Sequence, residues 1–447
     1  MYSNLMEFED IIFEGRYARR PISPYVYSPL DHRQNEIRLI RLDLSPVQSA
    51  PIEVTLEHHS LLDPPEFIAL SYEWGHPAEH ALITMNGVAV PVTLNLWLAL
   101  QQLREHRWTL LWVDALCIDQ RSEEERSAQI LRMAAIYQEA QRVSAWLGPE
   151  LEGSGRVMRF LRSLHNANRT GDSRFMDLTS PMKDDKRSEL QAFFGRSYWT
   201  RVWIIQEIVV GSQVSILCGR DILEWEELNE AILTPLFKEW ERNLQLKECH
   251  NLCSIRSKDV LGAPTSLLEA LHASSHSRST EAKDKVFSLL GLAFDRRVYL
   301  TEPQYGWDDL ELCMRMTKSF IARKRSLDII FIGSKRSAQS MEATGNPTWT
   351  CQLPSWCPNY IHFPSNSRLK HLIHYISGQD ERVRTGTLGR RWLSTDTSVA
   401  TLATCRITAH YLQLKAIPIG YIAALANIVG EKISPRYDAQ FGPGSGT

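Results

Sequence analysis

The sequence predicts an α/β protein: an open, mostly parallel sheet with flanking helices, followed by a mainly helical C-terminal region. Three observations carry that reading. Between about residues 66 and 148, strand-like runs alternate with stretches of helical period, the order that builds parallel sheets. Leu110 to Val113 is an unbroken apolar run, as expected of a central strand covered on both faces. Beyond about residue 221, apolar residues recur mainly at helical spacing, joined by loops.

Within residues 1–65, "EIRLIRLDL" and "PIEVTLEHH" alternate apolar and polar side chains, so they predict a β-rich N-terminal segment packing on the core. Phe67 to Tyr72 in "PPEFIALSYEWG" reads as a buried strand that stops at a glycine turn. "ALITMNGVAVPV" reads as a hairpin, because Asn86-Gly87 suits a type I′ turn. "TLNLWLALQQLREH" follows as an amphipathic helix with Thr93 or Asn95 as cap and Leu96, Leu100 and Leu103 on one face. The central strand at Leu110 to Val113 is expected between strands near 67–72 and 143–147. "SEEERSAQILRMAAIYQEA" predicts a helix opened by a Ser122/Glu125 capping box, with Ile130, Met133, Ala134 and Tyr137 as its core stripe. "RVSAWLG" is a short strand stopped by Gly148-Pro149. "GDSRFMDLTSPMKDDKRSE" reads as a polar surface excursion, "VSILCG" as a strand, and "EWEELNEAILTPLFKEWERNL" as a helix. The division predicted is a segment at 1–65, a core domain at 66–220, a helical region at 221–435 and a disordered Gly/Pro/Ser-rich tail at 436–447.

Composition excludes several functional classes. A net charge of −2 gives no basic excess for nucleic acid or anionic membrane. No run approaches the roughly 18 apolar residues of a membrane span, and the acidic N-terminus lacks a signal-peptide layout, so a cytoplasmic protein is expected. The 8 cysteines are then expected to be reduced thiols. Only "CHNLC" brings two of them close, Cys249 and Cys253, and without a second pair at ligand spacing no metal site is expected.

Ligands of open α/β sheets bind beyond the carboxyl ends of strands. Two strands here end in polar or aromatic residues: Ser71, Tyr72, Glu73 and Trp74 after the first, and Asp114 followed by Asp119 and Gln120 after the second. Capping and turn chemistry account for many such residues. A third feature is less ordinary. In "YWTRVWIIQEIVVG", Gln206 and Glu207 stand side by side in an otherwise apolar run from Val202 to Val210. As a helix this run is apolar all round and therefore buried, with Glu207 one turn after Trp203 on the same face. As a strand, Gln206 and Glu207 would point to opposite faces. A buried carboxylate needs a partner, here Arg201, Arg196 or Arg126, or a task.

The blocks "ALSYEWG", "VTLNLWLALQQLR", "LWVDALCIDQRSEEERSAQILRMAAIYQEAQRVSAWLG" and "RVWIIQEIVV" closely resemble the fungal heterokaryon-incompatibility (HET) domain over about residues 66–220. "AKDKVFSLLGLA" and "LPSWCPNY" are weaker family features, the second with Cys357 where valine is commoner. Longer family members often continue into a further β-rich segment. The resemblance implies nonself recognition coupled to programmed cell death, association into homo-oligomers on activation, and a protein partner for signalling. The HET fold is in turn similar to that of Toll/interleukin-1 receptor (TIR) domains, some of which hydrolyse NAD⁺ with a glutamate in a W-C-x-x-E motif. Trp203 and Glu207 have that spacing, with Ile204 at the cysteine position, and Ser71-Tyr72 is comparable to a TIR Ser-Tyr pair. The resemblance thus implies a TIR-like sheet, a catalytic Glu207 and NAD⁺ as substrate. The expected substrate-binding residues are Ser71, Tyr72, Trp74, Asp114, Asp119, Gln120, Arg126, Arg201, Trp203 and Gln206, with Trp203 or Trp74 stacking on a ring and Arg126 or Arg201 pairing with pyrophosphate. The competing expectation is an interaction module without catalysis, in which the same residues stabilise assembly.

Overall fold

The computed structural model describes residues 25–45, 50–332 except 77, 152, 171–183, 234–236 and 238–245, and then 353, 357–363, 369–377, 406–407 and 412–413. The tail at 436–447 and most of the polar excursion lie outside the described residues. Residues 1–395 form one compact unit and 396–447 a second, in which an antiparallel pair, Arg406–Ile407 with Leu412–Gln413, is described.

The first unit is built on a nine-stranded sheet. Its strands are β1 (Glu36–Leu42), β2 (Glu53–Ser60), β3 (Ile68–Tyr72), β4 (His80–Met85), β5 (Val88–Thr93), β6 (Leu110–Trp112), β7 (Arg142–Trp146), β8 (Val214–Cys218) and β9 (Asp221–Glu224). They lie in the order β5-β4-β2-β1-β6-β3-β7-β8-β9. The α/β class is as the sequence predicts, but the sheet is mixed rather than mostly parallel. A parallel block, β6-β3-β7-β8, is flanked on both sides by antiparallel pairings, because β4–β5 and β8–β9 are hairpins and β1 runs against both β2 and β6. Leu110 to Trp112 does occupy the middle of the sheet. Its neighbours are β1 and β3, however, and β7 lies one strand further on, beyond β3. Hydrophobic runs specify that a strand is covered; they carry no information on which strand lies beside it.

The helices needed below are α1 (Leu94–Glu105), α2 (Asp114–Cys117), α3 (Glu123–Glu139), α4 (Ser154–Thr170), α5 (Asp184–Phe194), α6 (Trp203–Val210), α7 (Trp225–Ile232) and α8 (Lys247–Val260). The end of the predicted polar excursion is thus the start of α5. Asn86 and Gly87 both have positive φ, 49° and 79°, as the type I′ turn requires. Two caps differ from expectation. Thr93 precedes α1 without a side-chain cap bond, and Asn95 instead donates to the Glu73 carbonyl at 2.6 Å. Ser122 caps α3 by accepting from the Glu125 amide at 3.1 Å, but the Glu125 carboxylate leaves the box. It pairs with the fully buried Arg38 at 2.5 and 3.1 Å and accepts from the Asp119 amide at 2.8 Å. A buried charge attracts the stronger partner. Accordingly the buried side of α3 is Glu125, Gln129, Met133, Ile136 and Tyr137, while Ile130 and Ala134 are only partly covered.

Helix α6 is the apolar run of the sequence, and Ile204 to Val209 are all buried. The sheet covers one side, and residues beyond 246 cover the other at three points. The backbone of Arg278 pairs with the segment before α6, accepting from the Val202 amide at 2.9 Å. The Gly291 amide donates to Gln206 Oε1 at 3.1 Å. Arg256 of α8 donates to the carbonyls of Ile208 and Gly211, both at 2.6 Å, and so satisfies the open end of the helix. Gly291 is necessary for that approach: a Cβ there would come within 2.5 Å of Ala134 Cβ and closer still to Gln206 Oε1. Gly291→Ala should therefore destabilise the chain by about 1–3 kcal/mol through overpacking, read as a lower urea midpoint. An unchanged midpoint would show that this contact does not hold α6.

Candidate functional site

The parallel block delivers its carboxyl ends to one place. β3 ends in Ser71 and Tyr72, β6 leads into Asp114 at the start of α2, and α6 lays Glu207 against them. Ser71 Oγ donates to Glu207 Oε2, and Ser71 Oγ and Tyr198 OH share a hydrogen bond of 2.7 Å. Glu207 is 3% exposed and Ser71 is fully buried. Arg201 turns its guanidinium to the Tyr72 carbonyl, near enough to Glu207 and Asp114 to attract both. Asp114 accepts from Trp74 Nε1 at 2.8 Å and from the Ala115 amide at 2.7 Å, and the Tyr72 hydroxyl also bonds to it. Gln120 touches this group through the Asp114 carbonyl, at 2.9 Å.

Electrostatics follow from burial. Desolvation pushes the Glu207 carboxyl up to about 7; Arg201 and the Ser71 hydrogen bond hold it down, and Asp114 pushes it up further. Desolvation also raises Asp114, against the pull of Trp74 and Arg201. The phenols of Tyr72 and Tyr198 are raised for the same reason. At neutral pH Glu207 therefore exchanges between neutral and charged forms in a dry site, whereas ordinary glutamates are fully ionised.

Four of the expected residues go elsewhere. The Trp203 indole bonds to Asp284, not into the Glu207 group. Arg126 pairs with Glu281 at 3.4 Å and stacks on the Tyr305 ring at 4.8 Å, while Tyr305 OH donates to Asp284 at 2.7 Å. These residues form a second polar cluster between α3, the start of α6 and the helical region. Asp119 accepts from the Arg121 amide at 3.1 Å in the turn before α3. Gln206, about 100° round the helix from Glu207, faces Gly291. Arg196, a candidate partner for Glu207, donates instead to the Leu147 carbonyl at 2.8 Å. No arginine forms an ion pair with Glu207 among the described residues.

Sequence reasoning missed a cleft of about 350 Å³ at the carboxyl ends of β3 and β7, lined by Glu73, Asn95, Trp146, Arg196, Ser197 and Tyr198 among others. Glu207 does not line it; Tyr198 stands between. Tyr198 lay in plain view four residues before the apolar run, but an aromatic beside Trp199 reads as core.

The family model described as "Heterokaryon incompatibility protein (HET)" matches residues 67–207, from the strand head before β3 to Glu207 itself. Over that span the chain is similar to the HET domain. "Heterokaryon incompatibility protein 6, OR allele" of Neurospora crassa is 26% identical in an alignment that covers 74% of this chain and 58% of that protein. The chain thus spans little more than half the length of the curated relative it matches. No solved structure matches it.

The HET match ends at a carboxyl whose titration has a consequence for stability. An ordinary glutamate titrates near 4.5 and Glu207 near 7, so in that window the folded chain holds a proton that the unfolded chain has released. Stability contributed here is full below about pH 4.5, falls as pH rises, and is lost above about pH 7. Glu207→Gln removes this dependence. Across that window the variant should gain on the wild type by about 3 kcal/mol in urea titrations at matched pH, because each tenfold change in proton affinity is worth about 1.4 kcal/mol. Parallel pH curves for the two proteins would assign the proton to another group.

Proposed function

We propose that this HET-domain chain acts in fungal nonself recognition as a cell-death effector, and that on self-association it cleaves the nicotinamide–ribose bond of NAD⁺ with Glu207. The observation that carries the reading is a carboxyl buried beside the carboxyl ends of parallel strands, hydrogen-bonded to a serine hydroxyl rather than neutralised by an arginine. The Trp203–Glu207 spacing and the Ser71-Tyr72 pair support the TIR-like comparison. Cleavage of that bond passes through an oxocarbenium-like state, which a nearby carboxylate stabilises. Nicotinamide leaves as a neutral ring, so a second carboxyl acid is not required. With Glu207 sealed beneath Ser71 and Tyr198, a lone chain is at rest, and association is the step that gives substrate access.

The second reading, an interaction module without catalysis, is favoured by that same seal: Glu207 is 3% exposed and does not line the cleft. Assay of nicotinamide release by the purified chain separates the two. Loss of one well-placed electrostatic contact costs about 3–4 kcal/mol, so Glu207→Gln should lower turnover by roughly 10²–10³ while the thermal midpoint holds or rises. Full turnover in that variant would reject the catalytic assignment and leave the interaction module in front.

Association is tested separately. A dimeriser fused to the whole 447-residue chain should raise nicotinamide release more than in proportion to concentration. The full chain is necessary because Arg256, Arg278 and Gly291, which hold α6, lie beyond the HET match. Activity strictly proportional to concentration, with no gain from the dimeriser, would remove self-association from the mechanism.

A further inference from the structure

Most polar side chains that line the cleft at the ends of β3 and β7 already serve one another. Asn95 accepts from Trp146 Nε1 at 2.9 Å and donates to the Glu73 carbonyl at 2.6 Å. Ser197 Oγ donates to Glu73 Oε2, and the Tyr198 hydroxyl is turned away to the buried Ser71. Leu151 and Ala192 add apolar wall. The hydrogen-bonding capacity left for a ligand is concentrated on two charged groups of the lining, Arg196 and Glu73, which do not pair with each other among the described residues.

Arg196 is used along one edge of its guanidinium. Nη1 donates to the Leu147 carbonyl at 2.8 Å, and Nη1 and Nη2 together take the Pro149 carbonyl at 3.2 and 3.1 Å. The other edge, Nε with the second Nη2 hydrogen, has no partner among the described residues. Elsewhere in this chain that same edge takes carboxylates. Arg41 holds Glu57 through Nε at 2.6 Å and Nη2 at 2.9 Å, and Arg162 holds Glu227 through Nε at 2.9 Å and Nη2 at 3.3 Å. Two parallel N–H groups match two oxygens of a carboxylate or a phosphate. The bonds to Leu147 and Pro149 therefore fix the fork without neutralising its charge. Glu73 supplies the complement: its Oε1 has no partner among the described residues, and an ionised carboxylate only accepts.

We propose that this cleft binds a small zwitterion, with the ligand's carboxylate or phosphate on the Nε–Nη2 edge of Arg196 and its ammonium group on Glu73. A purely anionic ligand satisfies Arg196 but is repelled by Glu73, and a cation meets the reverse. A ligand carrying both charges satisfies both, and its short carbon chain meets Leu151 and Ala192. The cleft volume of about 350 Å³ lies within the range of small-molecule sites. Glu207 does not line the cleft and takes no part, so this binding stands or falls apart from NAD⁺ cleavage.

Calorimetric titration of the whole 447-residue chain with γ-aminobutyrate and with O-phosphoethanolamine tests the proposal and distinguishes the two acids. At least one should bind saturably, and more tightly than its counterpart without the ammonium, butyrate or ethyl phosphate. Arg196→Lys keeps the charge but loses the fork, and should weaken binding at least about tenfold. Glu73→Gln should abolish the preference for the zwitterion over its counterpart. Because Arg196 also braces the Leu147 and Pro149 carbonyls, a second variant leaves those bonds intact. Leu151 is 54% exposed, so Leu151→Glu should spare the thermal midpoint while its carboxylate competes for Arg196 and weakens binding by a similar factor. Absence of saturable binding by either zwitterion would overturn the proposal. So would undiminished affinity in Arg196→Lys or in Leu151→Glu, or a preference for the ammonium group that persists in Glu73→Gln.

Discussion

Two adjacent polar side chains carried into a dry interior by one short helix are the constraint around which this part of the molecule is arranged. Successive residues of a helix point about 100° apart, so Gln206 and Glu207 need partners on different sides. The sheet answers Glu207 with Ser71; the helical region answers Gln206 with the Gly291 amide. Neither answer is complete. Gln206 Nε2 has no hydrogen-bond partner among the described residues, and Glu207 keeps a carboxyl pushed up to about 7. An unmet buried polar group costs about 1–3 kcal/mol. Such a helix stays in place because its surroundings fix it from both ends. Arg256 does this at the C-terminus by taking carbonyls that have no partner within the helix.

The mixed sheet explains why the site lies where it does. Parallel strands set their carboxyl ends side by side, and the longest parallel run is the block β6-β3-β7-β8, the other being the pair β2–β4. Asp114, Ser71 with Tyr72, and the Trp146–Gly148 edge of the cleft follow three of these strands in turn. In the flanks β1, β5 and β9 run against the block, and β2 and β4, although they run with it, are separated from it by β1. The N-terminal strands serve instead to cover β6, and the buried Arg38 of β1 reaches through to Glu125 and the Cys117 carbonyl, tying α3 and α2 to that flank.

Much of this was legible in the sequence, and the failures share a cause. Local period located the strands, the Asn86-Gly87 hairpin and helix α6, because each signal lies within a few residues. Strand order was not legible: β1 and β6 are separated by more than sixty residues, and nothing local records that they pair. The capping box failed for the same reason, since Arg38 draws Glu125 away from a distance that a four-residue motif cannot register. At the site, residues at strand ends were located together because topology demands it. That Trp203 and Arg126 turn to Asp284, Tyr305 and Glu281 was not legible, because those partners lie in a stretch that reads only as loop and helix. Tyr198 was missed because an aromatic in an apolar neighbourhood gives no sign of what its hydroxyl meets.

The HET match closes at Glu207, yet the contacts that position Glu207 do not close there. Arg256, Arg278, Asp284 and Gly291 all come from beyond residue 246, and each touches α6, Trp203 at its start, or the turn before it. A segment that covers a buried helix at its beginning, middle and end cannot shift without altering the helix, because packed interiors are close to incompressible. The helical region is thus the element best placed to change what Glu207 meets. Moving it would free Gln206 and the α6 terminus together, and the carboxyl near neutrality would respond at once. A charge that is costly when sealed and cheap when solvated makes Glu207 the group most sensitive to that movement.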